Sequence, residues 1–408
     1  MNPIRRTTTT FQPTKGGTTE CHTIIQVTDT SLSFVEQMNC ILDTYRRLFE
    51  SREPSIENGS RTIGNTQQAP LADEAENVPT TPIFRRFFLS DAANQQSLLE
   101  EALDEHVFCA TSIIQQPPLD GSKIALWVYS TDQLIADDGA FHHNGYTHYW
   151  MGGCVPMSLC GIKDLEKSDY SKGKSEYQMR DIFDAYRSEL KPFDMTIADN
   201  CMRTWIFVRD VDTNYGGVVT GRRNYFSRIG LTPKTHFISS TGIEGSHANP
   251  RVLVQMDACA TKGLQEGQVT YLYAKDHLSP TSDYGVTFER GTSITYGDRR
   301  HIFISGTASI DDKGKVMYEG DIRKQTLRML ENVQALLAEA DASLKDIAVA
   351  IVYLRDIGDT AVVKELLSNE MPDLNYVLVN APVCRPAWLI EIECIALREV
   401  SGNGFNPF

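Results

Sequence analysis

The sequence has no basic excess, no long apolar run and no ordered cysteine spacing, and each absence removes a class of function. Of its 408 residues, 39 are Lys or Arg against 53 Asp or Glu, a formal net charge of -14. No basic stripe is left to neutralise phosphates, so nucleic acid is not an expected partner. An anionic ligand would need a local arginine cluster. No stretch approaches the ~18 apolar residues of a membrane span, and the opening Met1-Asn-Pro-Ile-Arg-Arg lacks the apolar core of a signal peptide. Nine cysteines occur without CxxC or zinc-type spacing, the pattern of free thiols in a reducing compartment. The expectation is a soluble cytoplasmic protein with no membrane partner. GxSxG, P-loop and GxGxxG runs are absent, which leaves serine hydrolases and nucleotide folds without support. His142-His143-Asn-Gly-Tyr-Thr-His148 lacks a Cys or carboxylate to complete a metal set, so neither metal nor cofactor is expected.

What is present is a pattern written three times. Phe87-Phe-Leu-Ser-Asp91, Ile206-Phe-Val-Arg-Asp210 and Val352-Tyr-Leu-Arg-Asp356 are β-rich runs ending in Asp, each read as strand then turn. An amphipathic helix precedes each. The clearest runs from Asp321 to Ala340; Ser33-Phe-Val-Glu36 and Ser175-Glu-Tyr-Gln178 read as capping boxes that open the other two. Early strands at Cys21-His-Thr-Ile, His148-Tyr-Trp-Met and His301-Ile-Phe-Ile, and late strands ending near Tyr129, Ala258 and Ala396, complete each copy. The predicted fold is α/β (α+β), three β-α-β-α-β units with mixed sheets and helices on one face. The units span 20–131, 142–260 and 296–400. Residues 1–19 read as a flexible arm, 51–80 as a flexible insertion in the first unit, and 261–295, with Tyr271, Tyr273 and Tyr284, as linker and pocket wall.

One strand carries an anomaly. Glu391 and Glu393 stand two residues apart among Leu389, Ile390, Ile392 and Ile395, so both point the same way. Burying even one carboxylate there costs several kcal/mol unless it is paired or protonated. The bland alternative is a half-exposed strand whose acids face solvent or an arginine. Trp127 and Gln255 fall near the Glu391 position in the other copies, so at most one of the three equivalent sites is expected to be active.

The third unit resembles the Rid (reactive-intermediate deaminase, YjgF-like) family over about 296–398. The match lies in Ile304-Ser-Gly-Thr-Ala-Ser-Ile310, Gly320-Asp-Ile, Gln325-Thr, Glu331-Asn-Val and Ile390-Glu-Ile-Glu-Cys-Ile-Ala396. Rid proteins are similar in fold to small trimeric chorismate mutases and form trimers with sites between subunits. The resemblance therefore implies an intramolecular pseudo-trimer, monomeric as a chain. With Met202-Arg-Thr-Trp205, Asn214-Tyr215, Gly221-Arg222-Arg223, Ser240-Thr-Gly-Ile243, Asn249-Pro-Arg251 and Phe288-Glu-Arg290-Gly291 added, residues 200–398 look like the chorismatase family. Its usual Trp-Asn-Tyr reads Trp205-Ile-Phe here.

That likeness implies cleavage of the enolpyruvyl ether of chorismate, or a similar small dicarboxylate, to pyruvate plus a hydroxybenzoate or dihydroxycyclohexadiene carboxylate. Glu391 matches the proton donor, and Glu393 is its supporting neighbour. Desolvation and that neighbour should raise the pKa of Glu391 and keep it protonated. Cys384, opposite Gly291, matches a pair that goes with the 3-hydroxybenzoate outcome. A dicarboxylate substrate needs cationic clamps, for which Arg203, Arg222, Arg251, Arg290 and Arg385 are candidates, with Tyr215 beside them. The alternatives are an ordinary Rid-type enamine or imine deaminase, and a non-catalytic small-molecule-binding protein. The deaminases resemble one another in an arginine about fifteen residues before the Glu, where this chain has Tyr376.

Overall fold

The computed structural model describes residues 3–49, 81–103, 109–133, 135–136, 138–159, 174–281 and 285–408. The insertion read at 51–80, and Tyr284 of the pocket wall, lie outside them. The first unit contains β1 (Ile4–Phe11), β2 (Glu20–Val27), α1 (Phe34–Phe49), β3 (Thr81–Leu89), α2 (Ala92–Ala102), β4 (Ala110–Gln115) and β5 (Ile124–Thr131). The second contains β6 (Phe141–His143), β7 (Tyr146–Cys154), α3 (Ser175–Leu190), a short α4 (Ile197–Asn200), β8 (Cys201–Val208), α5 (Val211–Arg228), β9 (Ser239–Glu244) and β10 (Val254–Lys262). The third contains β11 (Val269–Leu272), β12 (Gly291–Thr295), β13 (Arg299–Ala308), α6 (Ile322–Glu339), β14 (Ile347–Leu354), α7 (Thr360–Glu370), β15 (Tyr376–Asn380) and β16 (Ile390–Glu399).

The strand orders β1-β2-β5-β3-β4, β6-β7-β10-β8-β9 and β12-β13-β16-β14-β15 are one topology three times, with β11 added at the edge of the last. In each sheet the final pair is parallel and the rest antiparallel. The fold is thus the mixed α/β pseudo-trimer expected. The unit interfaces carry matching bridges: Gln115 to Ser246, Ile243 to Val383, and Pro118 to Val379. Helices cover one sheet face, where Met38, Ile41 and Leu42 of α1 pack on Leu126 and Val128. The opposite faces meet at the axis, where Phe84 stacks on Trp205 and both meet Trp127 edge-on. Among the described residues no helix is long and apolar enough to cross a membrane.

Three readings need correction. Residues 4–11 are no loose arm: β1 pairs along its whole length with β2. Its Arg and Thr side chains stay exposed or partly exposed, so an edge strand reads as polar coil. Ser175 does not cap α3; it lies inside the helix and donates its hydroxyl to Asn214 O, while Gln178 ties the helix to Arg251 O. The box at Ser33 does form, through Glu36 and the Ser33 N–H at 2.8 Å. Register also corrects the equivalences. Glu391 sits opposite Tyr353, so its counterparts are Ala125 opposite Phe88 and Gln255 opposite Phe207; Trp127 matches Glu393, as does Asp257.

Candidate active site

A cleft with about 480 Å³ of space, counted out into the solvent at its mouth, opens between the second and third units. Six of the predicted residues line it: Tyr215, Arg222, Arg290, Cys384, Arg385 and Glu391. Unit 2 supplies Tyr215 and Arg222 from α5 and Ser240-Thr241-Gly242 from β9; unit 3 supplies the remainder.

Glu391 projects from β16 and is 4% exposed. Burial, then the charge of Glu393, push its carboxyl up to about 8, against the opposing pull of Arg203 and Arg290. It is therefore a neutral acid near pH 7, roughly nine parts in ten protonated. Gly306 makes this placement possible: a Cβ there would stand 2.2 Å from Glu391 Oε1 and 3.1 Å from Thr241 Cγ2. Gly242 similarly leaves room for the Tyr215 ring, 2.7 Å from where its Cβ would be.

Arg222 is 1% exposed, donating from Nε to Thr287 Oγ1 at 3.2 Å and from Nη1 to Ser240 Oγ at 3.3 Å. Its Nη2 is buried without a hydrogen-bond partner among the described residues. A buried guanidinium left with an open donor suits a carboxylate ligand. Arg290 donates to Ser279 O at 2.9 Å and lies against Phe288. Arg385 is exposed at the mouth, over Trp388. Burial and the Glu391 charge push the half-buried Cys384 thiol up to about 12, so it is no thiolate nucleophile.

Four predicted residues fall elsewhere. Arg203 is buried behind the cavity, its Nη2 on Glu393 Oε2 at 2.7 Å and its Nη1 on Ser305 Oγ at 3.2 Å, so it has no donor facing a ligand. Arg251 belongs to the Asn249 turn before β10, where its N–H meets Asn249 Oδ1 at 3.0 Å. Gly291 lies in β12 against Leu272 and Phe303, outside the cavity lining. Glu393 also lies outside it and accepts from the Tyr353 hydroxyl at 2.8 Å. Sequence reasoning passed over Trp388, Gly306 and Thr241 as site residues although the quoted motifs contain the last two; small and hydroxyl residues carry no chemical signal of their own.

The fold and cavity define a single-chain pseudo-trimer with a buried acid facing arginines at one unit interface. The sequence profile of the Endoribonuclease L-PSP family matches residues 293–398. A RutC family protein of Pyrococcus abyssi is 39% identical over 100 residues, 24% of this chain and 79% of that protein. The chain thus belongs to the Rid (YjgF, RutC) family through its third unit. The 3-aminoacrylate deaminase RutC of Acinetobacter baylyi is 30% identical over 98 residues, 23% of this chain and 77% of that protein. A solved chorismatase structure superposes with a TM-score of 0.57 at 16% identity, over 80% of this chain and 95% of that one. At that identity the likeness is one of fold.

Proposed function

We propose that the chain is an enzyme that protonates the methylene carbon of a small enolpyruvyl ether, chorismate or a similar dicarboxylate, with Glu391 as general acid. The observation that carries this reading is a buried, protonated carboxyl in a cavity with Arg222, Arg290 and Arg385. The alkene electrons take the Glu391 proton and leave an oxocarbenium ion. Water adds to that carbon and returns a proton to Glu391. Collapse of the hemiketal moves its hydroxyl proton to the ring oxygen as the ether C–O bond breaks, releasing pyruvate and a dihydroxycyclohexadiene carboxylate, which becomes a hydroxybenzoate by losing water. A protonated acid near the working pH suits this step. Arg222 Nη2 would hold one carboxylate, and Arg290 and Arg385 the other end. No residue of unit 1 lines the cavity, and the chain would act as a monomer.

Likeness to the RutC deaminase supports a second reading, protonation of an enamine carbon by the same Glu391, followed by water addition and loss of ammonia. Tyr376, at the position of the deaminases' arginine, lines no part of the cavity, which favours the ether. Incubation with chorismate under a lactate dehydrogenase-coupled pyruvate assay, beside ammonia release from 2-aminoacrylate, decides between them. Folded protein that releases no pyruvate overturns the first reading.

A further inference from the structure

Glu391 and Glu393 share one face of β16, but cations clasp only Glu393. Arg203 Nη2 reaches its Oε2 at 2.7 Å, the Tyr353 hydroxyl donates to Oε1 at 2.8 Å, and Arg86 Nη1 stands 3.6 Å from Oε1. Arg86 comes from β3 of unit 1 and is wholly buried, with its guanidinium 5.0 Å from the Phe207 ring centroid and 5.1 Å from that of Trp205. Its far side pairs with Asp257 of β10, Nη2 to Oδ2 at 2.8 Å, and Asp257 in turn accepts the Gly153 N–H at 2.7 Å. Asp257, Arg86, Glu393 and Arg203 therefore form a balanced chain of four charges drawn from all three units.

Glu391 stands at the end of this chain. The groups facing it are Tyr215 and Arg222 of α5, Arg290 ahead of β12, Cys384 and Arg385 of the loop before β16, and Tyr353 across β14. Two neighbouring carboxylates compete for one proton. The cations beside each member decide where it resides. Arg203 and Arg290 pull against its residence on Glu391, and an anionic substrate at Arg290 would offset the second.

We propose that Arg86, from the unit that lines no part of the cavity, is a positioning residue for this proton: with Arg203 it keeps Glu393 ionised, so that the proton resides on Glu391. The inference rests on Glu391 being the acid of the proposed reaction, but its test needs no turnover. The infrared carbonyl band of the protonated Glu391 carboxyl is assigned by its loss in Glu391→Gln. In Arg86→Met/Asp257→Asn, which removes one cation and one anion together, that band is expected to fall by at least half at pH 7; kcat should fall in proportion with KM held. Arg86→Lys, which keeps the charge, retains most of the band. Glu393→Gln, which leaves Arg203 without its anion, moves the disappearance of the band lower by ~1–3 pH units. A folded double variant with the wild-type band and pH profile overturns the proposal. If the double variant misfolds, the Glu393→Gln titration decides alone, and an unmoved band overturns it. Because the band is read without substrate, failure of chorismate turnover leaves this test intact.

Discussion

Replacing Glu391 by Gln should abolish turnover and stabilise the fold, increasingly so as pH rises. The carboxyl moves from an ordinary 4.5 to about 8 on folding. A raised folded value contributes stability in full below 4.5 and loses it as pH climbs through 8. At about 1.36 kcal/mol per unit, the cost of the acid is about 1 kcal/mol at pH 5 and about 5 kcal/mol at pH 9. Gln cannot ionise, and the side chain fits: Gln255 is buried at the equivalent position of unit 2. At about 2.1 cal/mol/K of unfolding entropy per residue, 1 kcal/mol is worth about 1.2 °C in 408 residues. The melting temperature of Glu391→Gln relative to the parent should therefore rise by about 5 °C between pH 5 and pH 9, read by scanning fluorimetry in matched buffers. The difference between the two proteins cancels every other titrating group that Glu391 does not touch. A difference that is flat with pH, or that shrinks toward pH 9, would refute a buried neutral acid.

Gly306→Ala drives a methyl into Glu391 Oε1 and should lower kcat by about 100-fold, the scale of a 1 Å misplacement, while far-ultraviolet circular dichroism stays unchanged. Arg222→Met removes the donor left open at Nη2 and should raise KM by about 10- to 150-fold, the worth of a charged hydrogen bond, with kcat within a few-fold; a larger loss of kcat than rise in KM would count against a ground-state clamp. Cys384→Ala should keep pyruvate release within a few-fold and change the ratio of ring products on chromatography, because a thiol pushed up to about 12 supplies shape and not a nucleophile. The parent thiol should also react sluggishly with iodoacetamide at pH 8. The pyruvate rate should hold on the acid side and fall as pH passes through about 8, since the donor must carry its proton; a rate that rises through that range would exclude Glu391 as the acid.

The repeated Asp-ended strands were legible because their signal is local: Phe87 to Asp91, Ile206 to Asp210 and Val352 to Asp356 each combine β-branched or aromatic residues with a turn residue. The buried acid was legible for the same reason, two carboxylates at period two in an aliphatic run. What escaped depended on partners far away in the chain. The threonines of β1 read as coil until Thr7 meets Asn375 and β2 supplies a ladder. Arg203 carried the motif of a clamp, yet its charge is consumed by Glu393, 190 residues away. Asp257 looked like any strand acid, though it matches Glu393 and binds Arg86 at the axis.

These misses share a cause that bears on the site itself. Threefold repetition places equivalent positions face to face at the axis, where three identical charges would repel one another. The chain avoids this by diverging: Arg86 and Arg203 stand against Asp257 and Glu393 at one level, and Arg299 and His301 stand against Glu20 at another. Divergence at the axis also makes the three interfaces unequal. Gln255 donates to Ile113 O where the second unit might have held an acid, and Ala125 holds none in the first. The cavity that holds the Glu391 carboxyl lies at the junction of the second and third units, where Arg222 keeps an unspent donor.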